Sequence, residues 1–100
     1  MTRAVLIAAL SGRALAEQAR ASGFAPIVVD LFADRDTRAL ALAARRADGD
    51  VVNGFEADSL VAALESLAHG RDPIGLVLGA GFEHRADLID RLARLHTPLF

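Results

Sequence analysis

The feature that most constrains the fold is a regular alternation between short apolar runs and longer segments with helical spacing. Val5–Ala8 and Pro26–Val29 are continuous apolar runs, the pattern of strands that are covered on both faces in parallel sheets. The stretch 57–68 instead repeats its large apolar residues at the spacing of one helix face. Strictly alternating strands and helices predict parallel pairing through right-handed crossovers. The expected fold class is α/β, a three-layer α/β/α sandwich with a parallel sheet.

The same pattern predicts where each element begins and ends. We expect strands at Val5–Ala8, Pro26–Asp30, Val51–Val52 and Ile74–Leu78, with a fifth strand beginning at Pro98-Leu99-Phe100. We expect a first helix that is capped by Ser11 and ends at about Ser22, and a second that is capped by Asp34 or Asp36 and ends at about Arg46. Two further helices are expected, from Ala57 to Ala68 and from about Arg85 to Leu95. The apolar stripe of the second helix is predicted to be Leu40, Ala43, Ala44 and Ala47. The expected strand order is 3-2-1-4, with the fifth strand just beginning.

Composition limits the classes of protein that this chain can belong to. One hundred residues suit one domain, and 53% hydrophobic residues exclude intrinsic disorder. The absence of cysteine excludes disulfides and thiolate metal sites. All eleven basic residues are arginine, so the sequence cannot encode a P-loop lysine or a Schiff-base lysine. The net charge of −2 argues against nucleic acid as a partner.

The first residues resemble a secretion signal only superficially. Arg3 precedes an apolar run, but Ser11-Gly12-Arg13 places a turn and a charge before any cleavage site. No apolar run approaches the roughly 18–20 residues of a membrane span. We therefore expect a soluble, cytoplasmic protein without a membrane partner.

Ligands of open parallel sheets bind outside the carboxyl ends of the strands, near the point where strand order reverses. This rule selects three loops: Ala9–Arg13, Asp30–Asp36 and Gly79–His84. Two interpretations of the first loop stay open: either it holds a phosphate on the helix N-terminus beside Arg13, or it is a plain strand-to-helix turn. Ser11 lacks the G-x-S-x-G surroundings of a nucleophile, and we assign no catalytic residue.

The other two loops carry acidic residues whose roles stay open. Asp30 ends a strand, where it would bind ribose hydroxyls in a dinucleotide site or cap the following turn. Gly79 and Gly81 leave room for a ligand to approach the backbone, and Glu83 can accept hydrogen bonds from it. A structural turn, with Glu83 as an acid at the helix start, is the alternative. The candidate substrate-binding residues are Ser11, Gly12, Arg13, Asp30, Gly79, Gly81 and Glu83.

The three histidines do not form a metal site by spacing. His69, His84 and His96 are scattered, and no acidic cluster completes a ligand set. His69 and His96 lie near predicted helix C-termini, where the helix dipole favours a positively charged imidazole.

Several segments, taken in order, resemble the N-terminal Rossmann-like "pre-ATP-grasp" domain of ATP-grasp carboxylate ligases, relatives of biotin carboxylase and of the ATP-grasp enzymes of purine biosynthesis. The segments are the opening strand with its Ser/Gly loop, the strand that ends in Asp, Ala47–Glu56, the Gly79–Glu83 loop and Pro98–Phe100. The resemblance covers essentially the whole chain. It implies that Ser11, Gly12, Gly79, Gly81 and Glu83 contact a substrate.

The resemblance also implies partners and cofactors. The intact enzyme would use ATP and Mg²⁺, bound by later domains, to activate a carboxylate as an acyl phosphate and pass it to an amine or similar nucleophile. The chain itself would be a fragment without catalytic activity, and its partners would be a small carboxylate or amine substrate and the remaining ATP-grasp domains. A homodimer is an open alternative. Two other functions stay open: a small NAD(P)-binding Rossmann module and a non-enzymatic interaction domain.

Overall fold

A four-stranded parallel sheet forms the centre of the structure, a computed structural model that describes residues 2–99. The sheet strands are β1 (Ala4–Ala8), β2 (Ala25–Asp30), β3 (Ala43–Arg46) and β6 (Leu76–Leu78), in the order β3-β2-β1-β6. Two short strands, β4 (Gly49–Asp50) and β5 (Gly54–Phe55), pair antiparallel in a separate hairpin. The predicted α/β class and the strand order 3-2-1-4 are confirmed, since β6 is the fourth strand of the sheet.

Helices cover both faces of this sheet. They are α1 (Arg13–Ala21), α2 (Arg35–Leu40), α3 (Ala57–Ala68) and α4 (Ala86–Leu95). The larger core packs α3 and α4 against Leu6 and Ile27, whereas α1 packs against the opposite face at Ile7 and Val28. Neighbouring residues of one strand therefore face different helix layers, which is why β1 and β2 are apolar at consecutive positions. The molecule is a three-layer, Rossmann-like α/β fold.

The second helix is shorter than predicted, and the third sheet strand is a different segment. The sequence pattern favours one helix up to Arg46, but α2 ends at Leu40 and Ala43–Arg46 form β3. The reason is tertiary pairing: Ala43 lies opposite Ile27 and the Leu42 N–H donates to the Pro26 carbonyl at 2.7 Å. Backbone pairing with a buried strand outweighs the helix propensity of alanine and arginine. The predicted helical stripe through Ala43, Ala44 and Ala47 is therefore wrong.

The predicted strand at Val51–Val52 is also wrong. Both residues lie in the turn that joins β4 to β5, with exposed fractions of 63% and 87%. The Asp50 carboxylate accepts the N–H groups of Val52 and Asn53, a side-chain turn that Asp favours. Valine favours strands by its intrinsic propensity, but the hydrogen bonds of Asp50 hold this valine pair in a turn.

Helix starts differ from expectation at one position and follow it at another. Ser11 does not cap α1, because the N-cap residue is Gly12 and no side chain of the cap accepts a hydrogen bond. Of the two candidate caps of α2, Asp34 is the one used, and it accepts the Thr37 N–H at 2.9 Å. This bond is also the main reason that the pKa of Asp34 lies below its usual value.

The described residues at the expected fifth strand form one isolated parallel bridge and no strand. Pro98 bridges Leu76, and the Leu99 N–H donates to the Leu76 carbonyl at 2.9 Å. Phe100, which the prediction included, lies outside the described residues. Among residues 2–99, no helix combines the length and apolar character needed to cross a membrane.

Candidate functional site

The loops that follow β1, β2 and β6 lie side by side at the carboxyl edge of the sheet. The Leu10 N–H donates to the Ala80 carbonyl at 2.9 Å, and the Leu31 N–H donates to the Leu10 carbonyl at 3.1 Å. The loop after β1 is thus hydrogen-bonded to both of the others. Strand order reverses between β1 and β6, the position at which open α/β sheets bind ligands. The structure therefore brings the three predicted loops together.

Asp30 joins two of these loops from inside. Its side chain is 1% exposed, and its carboxylate accepts three backbone N–H groups, from Gly12 at 2.9 Å, Phe32 at 3.0 Å and Ala33 at 2.6 Å. These bonds compensate the buried carboxylate and hold Ala33 in its left-handed conformation. Of the two roles left open by the sequence, the geometry matches the cap of the following turn. It also adds an unexpected bond to the loop after β1.

Gly12 is needed for the packing of α1 against β2, not for the approach of a ligand to the backbone. A Cβ at this position would collide with Val28 Cγ1, so the start of α1 can lie against β2 only because the residue is glycine. Its N–H, which a phosphate at the helix N-terminus would use, is already donated to Asp30.

Arg13 and Ser11 lie at the surface of the same loop. The Arg13 guanidinium pairs with Glu17 at 3.3 Å and with Asp36 of α2 at 3.0 Å. A phosphate would have to compete with both carboxylates for this cation. Ser11 is exposed and is the polar side chain that this loop presents to solvent beside Arg13.

The loop after β6 is built against the loop after β1. A Cβ on Gly79 would lie 2.7 Å from the Cβ of Ala9, and one on Gly81 would lie 2.7 Å from Leu10 Cγ. Gly81 also has φ +113°, a backbone conformation that other residues rarely adopt. Both glycines therefore permit the close approach of two protein loops, which is sufficient reason for their presence.

Glu83 is the charged group that this loop exposes. One carboxylate oxygen accepts the Gly81 N–H at 2.9 Å, and the side chain is open to solvent. Hydrogen bonds from its own N–H and from Gly81, with the nearby His84, lower the pKa of Glu83 below its ordinary value. The exposed, ionised carboxylate can accept a further hydrogen bond from a ligand.

Sequence reasoning missed the connection between this loop and the β4–β5 hairpin. The Arg85 guanidinium donates to the carbonyls of Phe55 at 2.9 Å and Asn53 at 3.3 Å, and the rings of Phe55 and Phe82 lie 5.6 Å apart. One signal could have indicated it: Gly-Phe-Glu occurs at both 54–56 and 81–83. Each copy places a buried phenylalanine between a left-handed glycine and a carboxylate that accepts backbone N–H groups.

Comparison with known proteins adds no family to this geometry. No protein-family model matches the chain, and no curated protein is found to be similar to it. Within residues 2–99, no group of three or more His, Asp and Glu side chains could hold a metal ion.

Proposed function

We propose that the chain is the N-terminal, substrate-binding domain of an ATP-grasp ligase that joins a carboxylate to an amine or related nucleophile. The observation that supports this proposal is the bond between the loops after β1 and β6, from the Leu10 N–H to the Ala80 carbonyl. The resemblance assigns substrate contact to these two loops. Their meeting at the strand-order reversal makes one shared surface of them.

Glu83 and Ser11 are the residues of this surface that suit a small polar substrate. The ionised Glu83 carboxylate would accept an N–H or O–H of the substrate, and the exposed Ser11 hydroxyl can both donate and accept. Gly12, Gly79, Gly81 and Asp30 would act as positioning residues, because each holds a loop in place. Arg13 would contribute only after exchanging an exposed ion pair, which costs little.

A nucleotide and its Mg²⁺ do not fit the described residues. The chain has no lysine, and the Asp30 carboxylate takes the Gly12 N–H that a phosphate would need. The proposal therefore assigns ATP and Mg²⁺ to the remaining domains of the intact enzyme. The same use of Asp30 counts against the NAD(P)-binding alternative, because a ribose would have to replace one of its three N–H donors.

An interaction domain is the second candidate, and one observation favours it. A groove of about 460 Å³ between α1 and β6 is lined mainly by apolar side chains, Val5, Ile7, Leu15, Phe24, Val77 and Leu99 among them. A second copy of the chain is the occupant to test. Light scattering after size-exclusion chromatography would support this candidate by a concentration-dependent dimer, and a monomer at all concentrations would contradict it.

The ligase proposal is tested by titrating the ¹⁵N-labelled chain with acetate, glycine and methylamine. We expect amide shifts confined to Ser11–Arg13 and Gly79–Glu83, and their loss in Glu83→Gln. Glu65→Gln is the matched control, because Glu65 is an exposed acid on α3, outside these loops. Shifts outside the two loops, or no shift with any probe, would contradict the assignment of this surface.

Three further observations separate the ligase domain from the alternatives. We expect no ATP turnover by the purified 100-residue chain, and measurable turnover would overturn the proposal. Micromolar affinity for NAD(H) or NADP(H) in calorimetry would favour the dinucleotide module instead. The reading frame after codon 100 is the direct check, since ATP-grasp sequence there would support the proposal and a stop codon would contradict it.

A further inference from the structure

We propose that residues 96–99 form an acid-sensitive latch, in which a neutral His96 holds the segment against β6 and protonation of the imidazole releases it. We use "the latch" for these four residues.

His96 is partly buried, and one nitrogen of its imidazole is shielded from solvent and has no partner within residues 2–99. His96 follows the last residue of α4, and its backbone N–H donates to the Leu92 carbonyl at 2.9 Å. Its Nε2 is inaccessible to solvent and has no hydrogen bond within residues 2–99. A neutral imidazole tolerates this position at the cost of one unmade hydrogen bond, whereas protonation would place a charged N–H at a nitrogen that reaches neither solvent nor an acceptor.

Burial outweighs the charges around this ring. Two acidic groups act on this ring or share its cavity: Glu65 of α3 favours the protonated form, and Asp72 of the loop before β6 lines the same cavity. The C-terminus of α4 adds a further negative potential. Desolvation nevertheless lowers the pKa of His96 below its ordinary value of 6.5. The expectation of a positively charged imidazole, drawn from the helix dipole alone, is therefore not met at His96.

The latch is attached to the sheet by few bonds. The Leu76 N–H donates to the Thr97 carbonyl at 2.7 Å, and the Leu99 N–H donates to the Leu76 carbonyl at 2.9 Å. Within residues 2–99, Pro98 forms the one parallel bridge to this edge. Leu76 alone thus makes both backbone hydrogen bonds to the latch, one as donor and one as acceptor. Segments held by so few bonds open locally without global unfolding.

Gly75 shows how closely the latch packs. A Cβ at Gly75 would lie 2.6 Å from the Thr97 carbonyl oxygen and 2.7 Å from Leu99 Cγ. The backbone of Gly75 is not in the left-handed region, so alanine is excluded here by the latch alone. Gly75→Ala is therefore a variant that forces the latch away from β6.

Release of the latch would change two concave surfaces at once. Thr97 and His96 line a cavity of about 480 Å³ at the amino end of β6, and Leu99 lines the apolar groove beside α1. Opening would also leave the N–H and C=O of Leu76 unpaired at the sheet edge. Such an edge can accept another strand, so acid would create a β-augmentation surface.

The direction of the pH effect follows from the lowered pKa of His96. Above about pH 6.5, the ordinary histidine pKa, both the closed and the open latch are neutral and closure is fully favoured. As the pH falls below this value, the open form binds a proton that the closed form resists. The equilibrium constant for opening then rises by at most about tenfold for each pH unit, until the pH reaches the lower pKa of the closed form.

The test is amide hydrogen exchange of Leu76 and Leu99, measured from about pH 8 to about pH 5 and expressed as protection relative to the intrinsic exchange rate. We expect protection at both amides to fall through this range while the amides of β1 and β2 stay protected. His96→Leu, which has no ionisable group, should keep both amides protected at every pH. Glu65→Gln removes the charge that favours protonation of the closed form, so the loss of protection should begin at the same pH, continue to lower pH and become larger.

Two variants serve as references for this experiment. His69→Gln changes the exposed histidine at the C-terminus of α3 and should behave as the unmodified chain. Gly75→Ala should show low protection of Leu99 already at about pH 8. Protection that is independent of pH in the unmodified chain, that falls equally in His96→Leu, or that is lost together with β1 and β2 would overturn the latch.

Discussion

The buried carboxylate of Asp30 accepts a hydrogen bond from the backbone N–H of Gly12, 18 positions earlier in the chain, at 2.9 Å. This single bond ties the end of β2 to the start of α1. The other carboxylate oxygen accepts the N–H groups of Phe32 and Ala33. One side chain therefore sets the shape of two of the three loops at the carboxyl edge of the sheet.

We expect Asp30→Asn to destabilise the chain by about 2–4 kcal/mol, because the substitution keeps the size but replaces one accepting oxygen by an NH₂ group. At least one of the three N–H groups would then face another donor in a buried position. Urea unfolding followed by circular dichroism measures the change. Asp90→Asn, an exposed acid of α4, is the control and should change the free energy of unfolding by less than about 0.5 kcal/mol. A similar small effect for Asp30→Asn would contradict the role assigned to its carboxylate.

Gly12→Ala tests whether the glycine in the first loop is required by packing. Its φ of −89° is open to alanine, so the expected loss of about 1–3 kcal/mol comes from the collision with Val28 Cγ1. Val28→Ala removes that atom, and the double variant should lose less stability than the sum of the two single variants. Additive losses in a double-mutant cycle would show that the contact with Val28 is not the cause.

The elements that could be predicted are those in which the local pattern of apolar residues already specifies the buried face. The apolar runs of β1 and β2 and the leucine spacing of α3 each specify a buried face, and all three lie within two residues of the predicted bounds. The segment Ala43–Arg46 carries no such pattern, because it is only half-buried and is a strand by virtue of its backbone pairing with β2. Its conformation depends on a partner that lies elsewhere in the chain.

The candidate site was predictable at the level of loops but not of individual bonds. The carboxyl-edge rule selects the loops that carry Asp30 and Glu83, and the structure joins both to the loop after β1. The partners of Asp30 and Arg85 lie 18 and 30 positions away at Gly12 and Phe55, beyond the reach of any local pattern. Whether a polar side chain faces a ligand or its own backbone therefore depends on packing that only the fold supplies.

The turn at Val51–Val52 gives a prediction that separates an exposed hairpin tip from a strand. We expect Val52→Ser to change the free energy of unfolding by less than about 0.5 kcal/mol, since its side chain is 87% exposed. Val61→Ser on α3 is the reference, because Val61 is buried in the core and its loss should cost about 2–3 kcal/mol. A comparable cost at Val52 would mean that the valine pair is buried against another surface.

The final prediction concerns the pH dependence of the loop after β6. The pKa of Glu83 is lowered mainly by the hydrogen bond from its own N–H and then by that from Gly81, so the ionised side chain stabilises this loop. That contribution is fully present above the ordinary glutamate pKa of 4.5 and is lost as the pH falls through the lower value of the folded loop.

The Gly81 amide reports this titration directly, because its N–H is donated to the Glu83 carboxylate. We expect its NMR shift to move with a midpoint below pH 4.5 in the unmodified chain and to show no such step in Glu83→Gln. His84→Gln should raise the midpoint slightly, since it removes the positive charge that helps to lower the pKa of Glu83. A midpoint at or above 4.5, or a step that persists in Glu83→Gln, would show that Gly81 does not donate to this side chain, and the ordered acidic loop of the candidate site would lose its basis.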